Sequence, residues 1–194
     1  QDVLNSQKVA DPLKLLDCSP ISDGAAAVVL CSEEKAKQLS DSPIWITGSG
    51  HATDSISLHD RESLTEIKAT RIAAQQAFSQ AKITSEQIGM AEVHDCFTIA
   101  EILGIEDLGF VEKGKGGVFT EDGQTAIGGK IAVNPSGGLK AKGHPVGASG
   151  IAQAVEAALQ LRGEANGRQT NAENALIHSV GGSGGSAVVH VLAR

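Results

Sequence analysis

A single histidine lies on a glycine-rich segment, residues 134–150, that leads into an apolar stretch of helical spacing. His144 is flanked by Gly143 and Pro145. Glycine allows close backbone approaches, whereas proline fixes its own φ and restricts the residue before it. An imidazole held in this way is a candidate general base or oxyanion donor. The same pattern also fits a phosphate-cradling loop at a helix N-terminus, or a plain connection from a strand to a helix.

A second histidine and a cysteine lie in residues 93–97, between a short predicted strand and a predicted helix. The apolar pattern predicts that the strand ends at His94 and that the helix begins close to Cys96. A helix N-terminus lowers the pKa of a nearby thiol, so Cys96 is expected to ionise more easily than an ordinary cysteine. The alternative is an inert cysteine at a strand end, since free cysteine is commonly buried.

Three segments together resemble the signatures of the thiolases, enzymes that make or cleave 3-ketoacyl-coenzyme A by Claisen chemistry. Residues 143–145 match the glycine-histidine-proline motif of this family. Residues 93–97 match the histidine-aspartate-cysteine-phenylalanine motif of its sterol-carrier-protein-2-type and archaeal members, and residues 177–185 lie where thiolases carry their last glycine-rich loop. The resemblance extends over essentially the whole chain and identifies it as similar to the C-terminal half of an acetyl-coenzyme A acetyltransferase.

The resemblance implies an α/β fold, a thiolase-like half-domain with a mixed five-stranded sheet covered by helices on both faces. Residues 1–42 would be the incomplete end of the N-terminal half, and residues 43–194 the C-terminal domain. A chain of 194 residues is too short for a complete thiolase. The nucleophilic cysteine that accepts the acyl group is therefore expected upstream, and the chain alone is expected to be inactive.

The resemblance also gives each motif residue a role. His144 would assist the nucleophile and contribute to the oxyanion hole of the enolate, and Cys96 would be the acid/base that moves the α-proton. Ser179 stands where other thiolases carry that cysteine, and a hydroxyl is too weak an acid to replace it. His94 stands where they have an asparagine that holds a water, so it would supply the same donor directly or through water. The N–H of Gly181 resembles a donor of the second oxyanion hole, at a position where only glycine is expected to fit closely.

Three further residues are candidates for substrate binding: Ser19, His178 and Phe97. Ser19 stands five residues before Gly24, where thiolases have a serine that bonds the pantetheine arm, although serines near turns are usually turn residues. His178 either lines the pocket or is a core histidine on a buried strand. Phe97 belongs to the same motif as Cys96. Asp95 would orient its surroundings rather than react.

Composition limits the partners. The net charge of −7 argues against a nucleic-acid surface, and three cysteines without CxxC spacing suit a reducing cytoplasm. No apolar run is long enough for a membrane span and no leader is evident.

The substrates implied by the resemblance are acetyl-coenzyme A and 3-ketoacyl-coenzyme A esters, with no cofactor and no metal. The full-length protein is expected to be a homo-oligomer. The archaeal thiolases that it resembles act with hydroxymethylglutaryl-coenzyme A synthase and a small OB-fold scaffold protein, so these two proteins are candidate partners. The resemblance also implies a role in lipid metabolism, in the mevalonate pathway.

Hydrophobic periodicity predicts the elements that would position these residues. The long region between the two motif histidines contains a glycine-rich segment, residues 113–129, that reads as a loop covering the site. Strands are predicted over residues 25–31, 44–48, 175–180 and 187–192. One helix is predicted to begin at Ser32, a second to span residues 61–81, and a third to begin at about residue 97. A fourth is predicted over residues 149–162, with a stop at Gly163.

Two other functions compete with an acyltransferase. A thiolase-like retro-aldolase of the lipid-transfer type would keep the fold and the coenzyme A ester without a cysteine shuttle, and Cys96 argues against it. A non-catalytic module would only bind or complete another subunit, and a Cys-x-Ser sequence upstream would exclude it. Residues 181–185 also satisfy the G-x-S-x-G pattern of serine hydrolases. That motif needs a following helix, whereas a strand is predicted here.

Overall fold

The computed structural model describes all 194 residues, and its centre is a mixed sheet of five strands. The seven strands of the chain are β1 (Lys8–Ala10), β2 (Leu13–Lys14), β3 (Trp45–Thr53), β4 (Met90–Glu92), β5 (Ala132–Val133), β6 (Asn174–Gly181) and β7 (Ser186–Ala193). The seven α-helices are α1 (Asp2–Asn5), α2 (Glu33–Leu39), α3 (Lys68–Ala81), α4 (Thr98–Asp107), α5 (Gly116–Glu121), α6 (Gly138–Lys142) and α7 (Val146–Arg162).

The large sheet has the order β3-β7-β6-β4-β5, and β1 and β2 form a separate antiparallel pair. β7 runs antiparallel to both β3 and β6, whereas β4 runs parallel to β6 and to β5. The two long apolar strands at the C-terminal end of the chain, β6 and β7, therefore lie inside the sheet. The predicted mixed five-stranded sheet is confirmed.

Helices cover both faces of this sheet. Alternation along the strands directs Leu176 and Val191 to the face that carries α3, and Ala175 and Leu192 to the face that carries α7. α3 packs closely on β3. A Cβ added at Gly50 would overlap a backbone carbonyl of that helix. Small residues thus set the distance between helix and sheet, and the predicted covering of both faces is confirmed.

Several predicted elements begin elsewhere or are absent. α3 begins at Lys68 rather than near Arg61, and residues 113–129 contain the short helix α5. α7 begins at Val146, earlier than predicted, and ends before Gly163, whose φ of 78° is the left-handed conformation of a helix stop. The strand predicted over residues 25–31 is wrong, because this segment has no strand partner in the chain.

Residues before β3 contact the segment that follows β4. The N–H of Ser19 donates to the carbonyl of Cys96 at 2.8 Å, and Cys18 and Phe97 form an isolated antiparallel bridge. After this contact, Val29 and Leu30 are 91 % and 75 % exposed. None of the helices combines the length and the apolar character needed to cross a membrane.

Candidate active site

Two predicted site histidines meet beside the sheet. His94 follows β4, and His144 lies between α6 and α7. Their ring centroids are 5.1 Å apart and the rings are nearly perpendicular, at 84°. Residues that are separated by three helices and a strand in the sequence are thus neighbours in space.

The loop that carries His144 is held by a carboxylate of the other motif. Asp95 accepts hydrogen bonds from the backbone N–H groups of Leu139, at 2.7 Å, and Lys140, at 3.3 Å. Both N–H groups lie in the first turn of α6, where they have no partner within the helix. Gly138 has a φ of 62°, and a Cβ there would overlap the Asp95 carboxylate. The glycine allows the turn to approach Asp95, and this geometry suits the orienting role predicted for that residue.

Hydrogen bonds at Ser149 fix the tautomer of His144. The Ser149 hydroxyl lies 2.8 Å from His144 Nδ1 and donates to the carbonyl of Pro145 at 3.0 Å. Because a hydroxyl has only one proton to donate, Nδ1 must carry the proton of the first hydrogen bond. The neutral imidazole then has its lone pair on Nε2, where it can act as a base. The backbone N–H of His144 also donates to Ser22 Oγ at 2.7 Å, which holds the turn from the other side.

His94 is buried and has no internal hydrogen-bond partner. Its side chain makes no hydrogen bond within the chain, and Nδ1 is fully enclosed. Burial lowers the pKa of His94 to about 4, and the neighbouring His144 adds to the effect. At neutral pH the ring is therefore uncharged and offers one N–H as a hydrogen-bond donor.

Cys96 is not the easily ionised thiol that its position predicts. Burial raises the pKa of Cys96, and the negative charge of Asp95 also raises it, against a lowering by the backbone N–H of Phe97. α4 begins only at Thr98, with Phe97 as its N-cap, so Cys96 precedes the first turn. The predicted lowering of this pKa is wrong, because burial outweighs the helix terminus. The group stays a protonated thiol at neutral pH, which suits an acid.

Gly181 lies at the end of β6, paired with Ser186 of β7. Its φ of −117° is ordinary for a strand, and a Cβ there would meet only Ser186, at 3.9 Å. Within this chain a Cβ would therefore fit at this position, and the need for glycine at the proposed oxyanion hole stays a prediction. The positive φ values of the loop belong to its next residues, Gly182, Ser183 and Gly184.

The predicted substrate-binding residues lie in three different environments. Ser19 lies beside the second motif through its contact with Cys96, and Phe97 is 53 % exposed next to it. His178 is fully buried, and its Nε2 lies 2.8 Å from the Thr70 hydroxyl of α3. Burial lowers the pKa of His178 to about 3, with a smaller contribution from His94. This placement fits the core-histidine alternative.

Two serines of this site were not predicted from the sequence. Ser149 stands five residues after His144, at the start of a predicted helix, and this spacing was the available signal. Ser22 is 122 residues away from its partner His144, so no local pattern could have indicated the contact.

Comparison with known proteins places the chain in a family. A family model described as thiolase C-terminal domain-like matches residues 50–194. Acetyl-CoA acetyltransferase of Methanothermobacter thermautotrophicus is 57 % identical over all of this chain and 51 % of its own length. Acetyl-CoA acetyltransferase of Methanocaldococcus jannaschii is 46 % identical over 99 % of the chain and 51 % of its own length. Sterol carrier protein 2 of Oryctolagus cuniculus is 41 % identical over 97 % of the chain and 35 % of its own length.

A solved structure agrees with these sequences. The Ltp2-ChsH2(DUF35) aldolase superposes with a TM-score of 0.87 at 26 % identity, over all of this chain and 50 % of the solved one. The chain thus spans about half the length of the acetyltransferases it matches, and a smaller part of sterol carrier protein 2. Because the family model covers more than half of the chain, the chain belongs to the thiolase family.

Proposed function

We propose that this chain supplies one half of the catalytic site of an acetyl-coenzyme A C-acetyltransferase. The observation that carries the proposal is the edge-on contact of His94 and His144, beside the loop that also holds Cys96. The two archaeal relatives that bear the name acetyl-CoA acetyltransferase support it, since they match nearly the whole chain.

In the proposed reaction, a cysteine outside this chain carries the acyl group as a thioester. His144 Nε2 accepts the proton of that thiol, because Nδ1 is occupied as a donor to Ser149. During acylation, Cys96 gives its proton to the coenzyme A thiolate that leaves as the acyl group is transferred. In condensation, the resulting Cys96 thiolate removes a proton from the α-carbon of a second thioester, and this carbon attacks the acyl carbonyl. The upstream cysteine leaves as a thiolate and recovers its proton from His144. In cleavage, the Cys96 thiol returns the proton to the same carbon of the departing enolate.

The oxygen of the developing enolate needs a hydrogen-bond donor, and an uncharged N–H group can serve. His94 meets this requirement, since burial keeps its pKa at about 4 and leaves one neutral N–H donor at pH 7. His144 would share this oxygen, and the Gly181 N–H would serve the other oxyanion. Ser19 and Phe97 would contact the substrate beside Cys96.

We also infer that residues 1–42 are the end of the first thiolase half and that residues 43–194 form the second. The sheet of the second half begins at β3, directly after the proposed boundary. Residues 25–31 are apolar, unpaired and largely exposed, as expected of a strand whose sheet lies outside this chain.

The test is a pair of cysteine variants in the full-length protein. Cys96→Ala is expected to abolish condensation of two acetyl-coenzyme A molecules, yet to leave acylation of the upstream nucleophile measurable. Acylation is followed by trapping the radiolabelled acyl-enzyme. Cys31→Ala is the matched control, because Cys31 is a free cysteine that belongs to none of the motifs. Condensation at the wild-type rate in Cys96→Ala would make Cys96 structural and redirect attention to Ser179 or His178.

A retro-aldolase is the second candidate, because the solved structure that resembles the chain is named an aldolase. A retro-aldol cleavage forms no acyl-enzyme. Carbon–carbon cleavage of a β-hydroxyacyl-coenzyme A without any trapped label, and unaffected by Cys96→Ala, would favour this function over the acyltransferase.

Broader expectations from the resemblance stay predictions. They comprise homo-oligomerisation of the full-length protein, the partnership with hydroxymethylglutaryl-coenzyme A synthase and an OB-fold scaffold protein, the mevalonate pathway, and a cytoplasmic location. Coenzyme A esters are proposed as the only small-molecule partners, without a further cofactor.

A further inference from the structure

A mostly buried carboxylate on α4 has no part in the chemistry proposed above. Glu101 Oε2 accepts a hydrogen bond from Asn134 Nδ2 at 2.7 Å. Asn134 is the first residue after β5 and has a left-handed φ of 50°. A residue other than glycine rarely adopts this conformation unless neighbouring groups hold it there.

Asn134 joins the two segments that carry the histidines. Its Oδ1 accepts from the backbone N–H of Val93 at 2.8 Å, and its own N–H donates to the carbonyl of Ala91 at 2.8 Å. Val93 directly precedes His94. The Asn134 carbonyl accepts from Gly137 N–H at 2.9 Å and so closes the first turn of the loop that leads to His144.

Glu101 takes part in orienting this asparagine. Nδ2 donates to the Glu101 carboxylate and Oδ1 accepts from the Val93 N–H, so the carboxylate and the N–H both select the same orientation of the Asn134 amide. Glu101 also belongs to the helix that follows Cys96. The hydrogen bonds of Asn134 thus link the helix after the cysteine, the strand end before His94 and the start of the His144 loop.

The position of this carboxylate is electrostatically unfavourable. Burial raises the pKa of Glu101 to about 7, and the carboxylates of Asp95 and Glu92 add to the rise, against the lowering by Asn134. A leucine in the same place would avoid this penalty, since an apolar side chain has no charge to desolvate. Packing of α4 alone therefore does not account for an acid here.

We propose that Glu101 is a positioning residue which, through the side chain of Asn134, holds the backbone before His94 and the start of the His144 loop in their relative places. The catalytic meaning of this placement rests on the proposed function, whereas the placement itself can be measured without any activity.

The first test measures the imidazoles in this chain by NMR. Glu101→Leu and Asn134→Ala are each expected to shift the ring resonances of His94. The double variant should shift them no further, because both changes break one link. Glu112→Leu is the matched control, since Glu112 is exposed and makes no side-chain hydrogen bond or ion pair. Unchanged His94 resonances in folded Glu101→Leu would overturn the proposal, whether or not the protein is a thiolase.

The second test measures acetyl transfer in the full-length protein. Glu101→Leu is expected to lower kcat roughly tenfold or more while KM changes little, because misplaced catalytic groups slow the reaction more than they weaken binding. Glu101→Gln keeps the size and an acceptor oxygen, so it should recover much of the rate and serves if Glu101→Leu fails to fold. Equal losses in kcat for both variants, with His94 resonances as in wild type, would refute positioning.

Discussion

The fully buried imidazole of His178 should make the chain sensitive to acid. Its only side-chain hydrogen bond is to Thr70, and Nδ1 has no partner. Burial lowers the pKa of His178 from 6.5 to about 3 in the folded state. The unfolded chain, with an ordinary histidine pKa, therefore binds a proton at mildly acidic pH that the folded chain does not bind.

The size of the effect follows from these two values. The contribution of His178 to the free energy of unfolding is fully present above pH 6.5 and falls as the pH decreases toward 3. At pH 4.5, two units below the unfolded value, the loss is about 3 kcal/mol, since each unit corresponds to about 1.4 kcal/mol. This is a large part of the stability of an ordinary domain.

Urea unfolding at pH 7.5 and pH 4.5 measures this loss. His178→Gln removes the titrating group and keeps a side chain of similar size that can bond to Thr70. Its free energy of unfolding should fall by about 3 kcal/mol less between the two pH values than that of the wild type. His59→Gln is the control, because the His59 side chain is 88 % exposed. If His178→Gln and wild type lose the same amount, the argument from burial is refuted.

Two further predictions concern the loop and the sheet. His144→Ala in the full-length protein should slow both half-reactions roughly 10²-fold or more, as for loss of a positioned base or oxyanion donor. A thermal melt must show that the variant stays folded, since a large loss of stability would indicate a structural role. Gly50→Ala should destabilise the chain by about 1–3 kcal/mol, because its Cβ would overlap the Ala73 carbonyl. Gly117→Ala, whose Cβ would meet nothing, is the matched control in urea unfolding, and equal effects of the two would contradict the close packing of α3 on β3.

Elements whose signals are local could be predicted from the sequence. α7 ends at Arg162 as predicted, because its stop is the left-handed Gly163 directly beyond it. β6 and β7 are long apolar runs on either side of a glycine loop, and both lie within one or two residues of their predicted bounds.

Elements that depend on distant partners were misplaced. The N-terminus of α3 is satisfied by Asp107, whose carboxylate accepts from Ile67 N–H at 2.6 Å. The two residues are 40 positions apart in the sequence, and their contact places the start of α3 after residues 61–67 rather than before them. Residues 25–31 have the composition of a strand, but a strand also needs a neighbour, and this chain contains none.

The candidate site divides in the same way. The motif residues could be named from the sequence: His144 because glycine and proline flank it, and His94 and Cys96 because residues 93–97 resemble a family motif. The groups that hold them, such as Glu101 and Ser22, contact partners across long sequence separations and have no local signature. The wrong pKa direction of Cys96 has the same origin, since burial is a property of the whole fold.

Burial links the stability of this chain to its proposed chemistry. The desolvation that lowers the pKa of His94 to about 4 weakens the folded state below pH 6.5. The same desolvation keeps the His94 ring uncharged at pH 7. A protonated His94 would repel the positive charge that His144 acquires when it accepts a proton. Glu101 has the opposite dependence, because its raised pKa of about 7 weakens the folded state as the pH rises above 4.5. Between pH 4.5 and 6.5 the two dependences oppose and cancel each other. The ionised carboxylate of Glu101 and the neutral ring of His94 coexist as the pH reaches about 7 and above.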